Sequence, residues 1–167
     1  MQRGSASSVF LFVLSGAATF IWLTSGSLPD MVASHFAASG AANGFMPHAF
    51  YVRFMLALVV ALPAVLVFLP AVGLNSPKAR INLPNREYWL DPARRTETIK
   101  VLRELMAYMG SMLAVFLSYV HWLVVRANEI VPPSLSMHWF IGGLAVFGIS
   151  VVAWAAVLIG RFRNVPR

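Results

Sequence analysis

Four long apolar runs, separated by polar segments, set the pattern of this chain. They cover residues 9–28, 51–72, 105–125 and 137–160, and the first carries no charged residue. A helix of about 20 apolar residues crosses the ~30 Å hydrocarbon core of a bilayer. The pattern therefore predicts an all-α integral membrane protein, in which residues 1–167 form one membrane domain built as a bundle of four transmembrane helices.

Composition supports this class. Hydrophobic residues make up 59% of the 167 residues and charged residues 11%, with a mean hydropathy of +0.72, which is more apolar surface than a soluble domain of this size can bury. No cysteine is present, so disulfides, thiolate metal sites and cysteine nucleophiles are excluded. The net charge is +7, and the basic residues that produce it lie beside the apolar runs. This placement indicates contact with anionic lipid headgroups and no role in nucleic-acid binding.

The segment between the second and third runs, residues 73–104, is a basic loop. Asp91 followed by Pro92 is typical of a helix start, because the carboxylate accepts unpaired amides and proline has none to offer. Ile99, Leu102 and Met106 then recur at helical spacing. This pattern predicts an amphipathic helix at the cytoplasmic interface that continues into the third span.

Membrane lipids are the expected partners of this loop. Tyr88 and Trp89 are residues of the kind that lie at headgroup level. The basic side chains predicted to contact anionic headgroups are Arg94, Arg95, Lys100 and Arg103.

The distribution of cations predicts the membrane topology of the chain. Of the 13 Lys and Arg residues, only Arg53 and Arg126 fall on the side of the loop at residues 29–50, and the other 11 fall beside the basic loop and the two termini. The positive-inside rule then puts both termini in the cytoplasm. A cleaved signal peptide is the rival interpretation of the first run, but its start is weakly basic and no small-residue cleavage pattern follows.

The second run carries two prolines and one charge. Pro63 predicts a kink in mid-span, and Pro70 predicts that the helix stops near the end of the run. Arg53, one turn inside the start, is expected either to extend to the interface or to pair with an acidic group of the preceding loop.

Residues 29–50 form the polar, turn-rich outer loop. Asp30 is expected to cap a short helical turn over residues 31–36. Ser39-Gly40 and Asn43-Gly44 are expected to supply turns.

In the predicted membrane topology, all four histidines lie on the outer side. They are His35 and His48 in the outer loop, His121 in the outward third of the third run, and His138 at the start of the fourth. Three interpretations stay open: a metal or haem site, a pH-sensing or ligand-contacting role, or ordinary hydrogen-bonded side chains. Their spacing matches no compact metal motif, so neither a metal nor a cofactor is assigned.

The third run also carries a polar stripe. Its members lie within about 80° of arc on a helix and are Glu104, Tyr108, Ser111, Ser118 and Trp122. Such a stripe predicts a face turned toward the bundle interior, either for hydrogen bonds between helices or for a proton or substrate path. No nucleophile elbow, phosphate loop or dinucleotide fingerprint is present, and enzymatic activity is not expected.

The outer loop resembles the signature of a bacterial membrane family classed as domain of unknown function sixteen forty-eight. Its pattern, L-P-x-x-V-x-x-H-[FW]-x-x-x-G-x-x-x-G, is matched at every position from Leu28 to Gly44. After the second glycine, where that family commonly has a basic residue, this chain has Met46, Pro47 and His48. The stretches INLPNREYWLDPARR (residues 81–95) and YVHWLVVRAN (residues 119–128) are also similar to proteobacterial members.

The same unit forms the N-terminal part of SdpI-like immunity and signalling proteins. The resemblance implies a multi-pass protein of the bacterial inner membrane that acts as a binding, regulatory or accessory protein. Its outer loop is then expected to recognise a periplasmic peptide or a partner subunit, and the chain to work with a membrane protein partner or as a homo-oligomer. The residues expected to bind are Asp30, His35, Phe36, Gly40, Gly44, His48 and Arg53. The alternative is a small transporter, or a metal- or redox-linked membrane subunit, that uses the outer histidines.

Overall fold

The computed structural model describes residues 5–74 and 81–165, and the chain is mostly helical. Four of the cations used to predict the membrane topology lie outside the described residues: Arg3, Lys78, Arg80 and Arg167. The elements in chain order are α1 (Ser5–Ser25), β1 (Met31–Phe36), β2 (Ala42–Pro47), α2 (His48–Leu74), α3 (Arg86–Trp89), α4 (Arg95–Asn128) and α5 (Met137–Arg163).

Four of the helices, α1, α2, α4 and α5, are long and apolar enough to cross a membrane. They correspond to the four predicted spans, with ends that differ by a few residues, and they indicate a multi-pass membrane protein. Helix α4 is one continuous helix of 34 residues, so the predicted amphipathic segment and the third span are a single element.

Helices α1, α2 and α4 pack against one another, whereas α5 packs chiefly against α4. The core between the first three contains the fully buried side chains of Phe10, Ile21 and Val59. Gly110 of α4 makes the approach possible, because a Cβ at this position would lie 2.8 Å from the ring of Phe10. The absence of a side chain therefore lets α1 and α2 close onto α4.

The two prolines of α2 do not end the helix. Helix α2 runs through Pro63 and Pro70 and ends at Leu74, two residues past the predicted run, so the stop predicted near the end of the run is confirmed although Pro70 itself is helical. The end of the helix is held from α4: the guanidinium groups of Arg103 and Arg95 donate hydrogen bonds to the carbonyls of Ala71 (3.5 Å) and Leu74 (3.3 Å). These bonds satisfy carbonyls that a helix terminus leaves without an internal partner.

The outer loop is a β-hairpin, so the predicted helical turn over residues 31–36 was wrong. The strands pair antiparallel, with Met31 opposite Pro47, Val32 opposite Met46 and Ala33 opposite Phe45. The predicted turn at Gly40 is confirmed, with a φ of 89° and a hydrogen bond to the carbonyl of Ala37. The predicted turn at Asn43-Gly44 was wrong, since both residues lie in β2.

At the opposite end of the bundle, residues 81–94 fold back over the ends of the helices. Leu74, Leu83, Leu102 and Phe162 form a buried apolar cluster there. The carboxylate of Asp91 accepts the amide of Ala93 at 3.0 Å, as predicted for a cap, but the following residues form a turn and α4 begins only at Arg95.

Candidate functional site

The hairpin formed by β1 and β2 is fixed to the end of α4 by one side chain. Asn128 accepts a hydrogen bond from the amide of Ala33 at 2.8 Å and donates one to the carbonyl of the same residue at 3.0 Å. It also donates to the carbonyl of Val124, one turn back on α4. Asn128 therefore bonds to the backbone amide and carbonyl of Ala33 as a neighbouring strand would, and it joins β1 to the bundle.

The turn of the hairpin is held by the connection between α4 and α5. The amide of Leu135 donates to the carbonyl of Gly40 at 2.8 Å, and the amide of Ala42 donates to the carbonyl of Pro133 at 3.3 Å. A Cβ at Gly40 would overlap the carbonyl oxygen of Leu135, and the positive φ also disfavours any other residue. Gly40 therefore has a backbone role in seating the turn.

The base of the hairpin is closed by His48, the first residue of α2. Its amide donates to the carbonyl of Asp30 at 2.8 Å, and its ring Nε2 donates to the carbonyl of Ser25, at the end of α1, at 2.9 Å. His48 thus joins α1, the hairpin and α2, while the Asp30 side chain is exposed.

The hairpin has one face toward the bundle and one away from it. Directly opposed residues of an antiparallel pair share a face. Val32 is fully buried and packs together with Met46 in the apolar core between α1, α2 and α4. On the other face, Met31 is opposite Pro47, and Phe45 is half exposed.

His35 projects from the hairpin as an exposed side chain. Its Nδ1 lies 3.1 Å from the hydroxyl of Ser34, and it is paired with Gly44 on β2. A Cβ at Gly44 would lie only 3.0 Å from the Cβ of His35, so glycine leaves room for the imidazole. Phe36, by contrast, is half-buried and packs against the apolar core between α1, α2 and α4.

The remaining predicted contact residue, Arg53, is exposed on α2. Within residues 5–74 and 81–165 it forms no ion pair with Asp30 or with another acidic group. The hairpin therefore brings together His35, Gly40 and Gly44 from the predicted set. Sequence reasoning missed Met31, Phe45 and Asn128. The amide of Asn128 at the outer end of a span was the one available signal for the last of these.

His121 lies in a second polar arrangement, inside the bundle. It is fully buried on α4, between Tyr51 of α2 and Thr24 of α1. The Thr24 hydroxyl donates to the carbonyl of Phe20 at 2.7 Å, so it accepts from His121 Nε2 at 2.9 Å. Nδ1 of the same ring then accepts the Tyr51 hydroxyl at 2.9 Å. A neutral imidazole satisfies every one of these bonds.

The four histidines do not form one site. His48 and His121 contact adjacent residues of α1, Ser25 and Thr24, whereas His35 and His138 are exposed on the hairpin and on α5. Among the residues described, no group of three or more His, Cys, Asp or Glu side chains is arranged to hold a metal ion.

Within residues 5–74 and 81–165, no hydrogen bond joins the polar stripe of α4 to another helix. Ser111 and Ser118 donate to carbonyls of α4 itself, those of Ala107 and Ala114, and Tyr108 is half exposed. Ser111 and Trp122 line an open groove of about 790 Å³ between α4 and α5. Its other lining residues are mostly apolar and aromatic.

The four cations predicted to contact headgroups all have partners within the chain. Arg94 pairs with Asp91 at 3.6 Å and lies 4.0 Å above the ring of Tyr88, and Lys100 pairs with Glu97 at 3.5 Å. Arg95 and Arg103 donate to the last carbonyls of α2, as described above.

Two arrangements thus lie at the same end of the described bundle: the exposed hairpin, with its apolar outer face and His35, and the buried hydrogen bonds of His121. Comparison of the chain with family models, with curated proteins and with solved structures finds no match.

Proposed function

We propose that this chain is a binding or accessory protein of the bacterial inner membrane, with both termini in the cytoplasm and the hairpin in the periplasm. Charge supports this orientation. The hairpin end carries Arg53 and Arg126, and Arg126 is paired with Glu129 at 2.6 Å. The cations described at the other end are Arg86, Arg94, Arg95, Lys100, Arg103, Arg161 and Arg163. Positive charge is retained on the cytoplasmic side of a membrane.

The function proposed for the hairpin is recognition of a periplasmic peptide or of a segment of a partner subunit. One observation carries this proposal: the outer face is held in place by Asn128 of α4, by the α4–α5 connection at Gly40, and by His48 at the base. A surface that is ordered before binding loses little conformational entropy when it binds. Such a rigid face is suited to recognition.

The chemistry of the outer face indicates the kind of partner. Met31, Phe45 and Pro47 offer apolar contact, and the exposed His35, which follows the register shift after Ala33, offers a hydrogen-bonding group on the same hairpin. This combination fits an extended or helical peptide that has apolar side chains beside a polar or acidic group. The resemblance of residues 28–44 to SdpI-like proteins supports the same role. Catalysis is no part of this proposal.

Photocrosslinking tests the proposal in native membranes. A photoreactive phenylalanine analogue at Phe45 is expected to capture one discrete peptide or protein, and His35→Ala is expected to abolish that adduct. The same analogue at Ile149, an exposed residue of α5, serves as the control. An adduct at position 45 that persists in His35→Ala, or adducts that are identical at both positions, would reject the recognition role. His35→Ala should leave the proton permeability of reconstituted vesicles unchanged.

A second function, proton or metal-linked transport, has one observation in its favour. The chain of hydrogen bonds from Tyr51 through His121 to Thr24 crosses three helices inside the bundle. Transport would make vesicle permeability depend on His121 and not on His35. Proton flux that falls in His121→Asn but not in His35→Ala would favour this function over recognition.

A further inference from the structure

The end of α5 is joined to α3 by two side chains from the basic loop. Asn85 donates hydrogen bonds to the carbonyls of Arg163 at 2.7 Å and Phe162 at 3.3 Å. The indole of Trp89 donates to the same Phe162 carbonyl at 2.8 Å, and its ring packs against the Phe162 ring. Both donors satisfy carbonyls that the end of a helix leaves without a partner, so the junction between α3 and α5 is well defined.

Three exposed arginines from distant parts of the chain flank this junction. Arg86 is the first residue of α3, and Arg161 and Arg163 lie in the last turn of α5. The guanidinium of Arg161 lies 5.8 Å from the centre of the Trp89 ring. Arg86 and Val165 line a cavity of about 440 Å³, and Glu87 is the one carboxylate among the described residues that line it.

These three arginines differ from the other cations at this end of the bundle. Arg94 and Lys100 form ion pairs with Asp91 and Glu97, at 3.6 and 3.5 Å. Among the described residues, no carboxylate lies within ion-pair distance of Arg86, Arg161 or Arg163. Within residues 5–74 and 81–165, no carboxylate therefore pairs with the positive charge of this junction, which attracts an anionic partner.

We propose that Arg86, Arg161 and Arg163 bind the phosphate of an anionic phospholipid in the adjoining leaflet, with Trp89 and Tyr88 at headgroup level. Guanidinium groups match the geometry of phosphate oxygens and form paired, charge-assisted hydrogen bonds with them. Trp and Tyr favour the membrane interface, where such headgroups lie. The proposal does not depend on what the hairpin recognises, and it moves lipid recognition from Arg94, Arg95, Lys100 and Arg103 to the junction of α3 and α5.

Lipid titration of the delipidated full chain, followed by native mass spectrometry, tests this site. The probe is phosphatidylglycerol, with phosphatidylcholine as the zwitterionic comparison. A cation beside an anionic headgroup changes affinity by about fivefold, so Arg161→Gln/Arg163→Gln is expected to weaken phosphatidylglycerol binding by about 25-fold. The matched control, Arg94→Gln/Lys100→Gln, removes the same charge and is expected to change binding by less than about twofold.

Three results would overturn the proposal: equal losses in the two double variants, no loss in Arg161→Gln/Arg163→Gln, or equal binding of the two lipids. Displacement of bound phosphatidylglycerol by an equal concentration of inorganic phosphate would indicate a site for soluble phosphate, and would also overturn it. If the α5 variant fails to fold, Arg86→Gln tests the same site from α3, with an expected loss of about fivefold.

Discussion

The hydroxyl of Tyr51 donates a hydrogen bond to Nδ1 of His121 at 2.9 Å, and the two rings stack with their centres 5.7 Å apart. This contact joins α2 to α4, and the bond from the other ring nitrogen to Thr24 joins α4 to α1. Buried polar groups rigidify a structure when every partner is present and destabilise it when one is missing. His121 therefore holds together the three helices that carry the hairpin.

Removal of the Tyr51 hydroxyl should destabilise the bundle. In Tyr51→Phe, Nδ1 of His121 stays buried without a donor, which costs about 1–3 kcal/mol. We expect a lower thermal unfolding midpoint in detergent. Tyr108→Phe is the matched control, because Tyr108 lies on α4 and is half exposed. Equal midpoints for the two variants would show that the hydrogen bond to His121 contributes nothing measurable.

Loss of the Asn128 side chain should loosen the hairpin while the helices stay packed. Asn128→Ala removes both bonds to Ala33, each worth about 0.5–1.5 kcal/mol. We expect faster hydrogen–deuterium exchange in peptides that cover residues 31–36, and unchanged exchange in the middle of α4. Asn43→Ala, at an exposed position of β2, is the control. Unchanged exchange in Asn128→Ala would mean that the hairpin is held by its other contacts.

Replacement by alanine should lower the unfolding midpoint at only one of two adjacent glycines of α5. A Cβ at Gly143 would overlap the ring of Tyr119, whose hydroxyl is bonded to the carbonyl of Trp139 at 2.6 Å, whereas a Cβ at Gly142 meets no atom within 4 Å. Overpacking costs about 1–3 kcal/mol, so Gly143→Ala should lower the unfolding midpoint. Gly142→Ala should leave the midpoint unchanged or raise it, because alanine is the better helix former by about 1 kcal/mol. A lower midpoint in Gly142→Ala alone would contradict this description of the α4–α5 contact.

The spans were predictable because they depend on local composition. Twenty or so apolar residues must be helical in a bilayer whatever their neighbours are, so the four runs and the continuity of α4 follow from the sequence. The way the end of α2 is held did not follow, since the carbonyls of Ala71 and Leu74 are satisfied by arginines of α4, 32 and 21 residues away along the chain.

The candidate site was predictable only as a segment. Residues 31–36 are too few to distinguish a strand from a helical turn by periodicity, and the contacts that decide the matter come from Asn128 and from residues 133–135. His121 was grouped with the other outer histidines because sequence gives its depth in the span but not the direction in which its side chain points. Its inward direction is fixed by Tyr51 and Thr24, on two other helices.

The orientation proposed for the chain can be tested with single cysteines, because the sequence contains none. Ala38, in the hairpin turn, and Ala93, in the turn before α4, are both exposed alanines and form a matched pair. If the hairpin is periplasmic, a maleimide that cannot cross the inner membrane should label Ala38→Cys in intact cells and label Ala93→Cys only after lysis. The reverse pattern would put the hairpin in the cytoplasm. Recognition of a periplasmic peptide would then be ruled out, whereas the lipid site at Arg86, Arg161 and Arg163 would be assigned to the opposite leaflet.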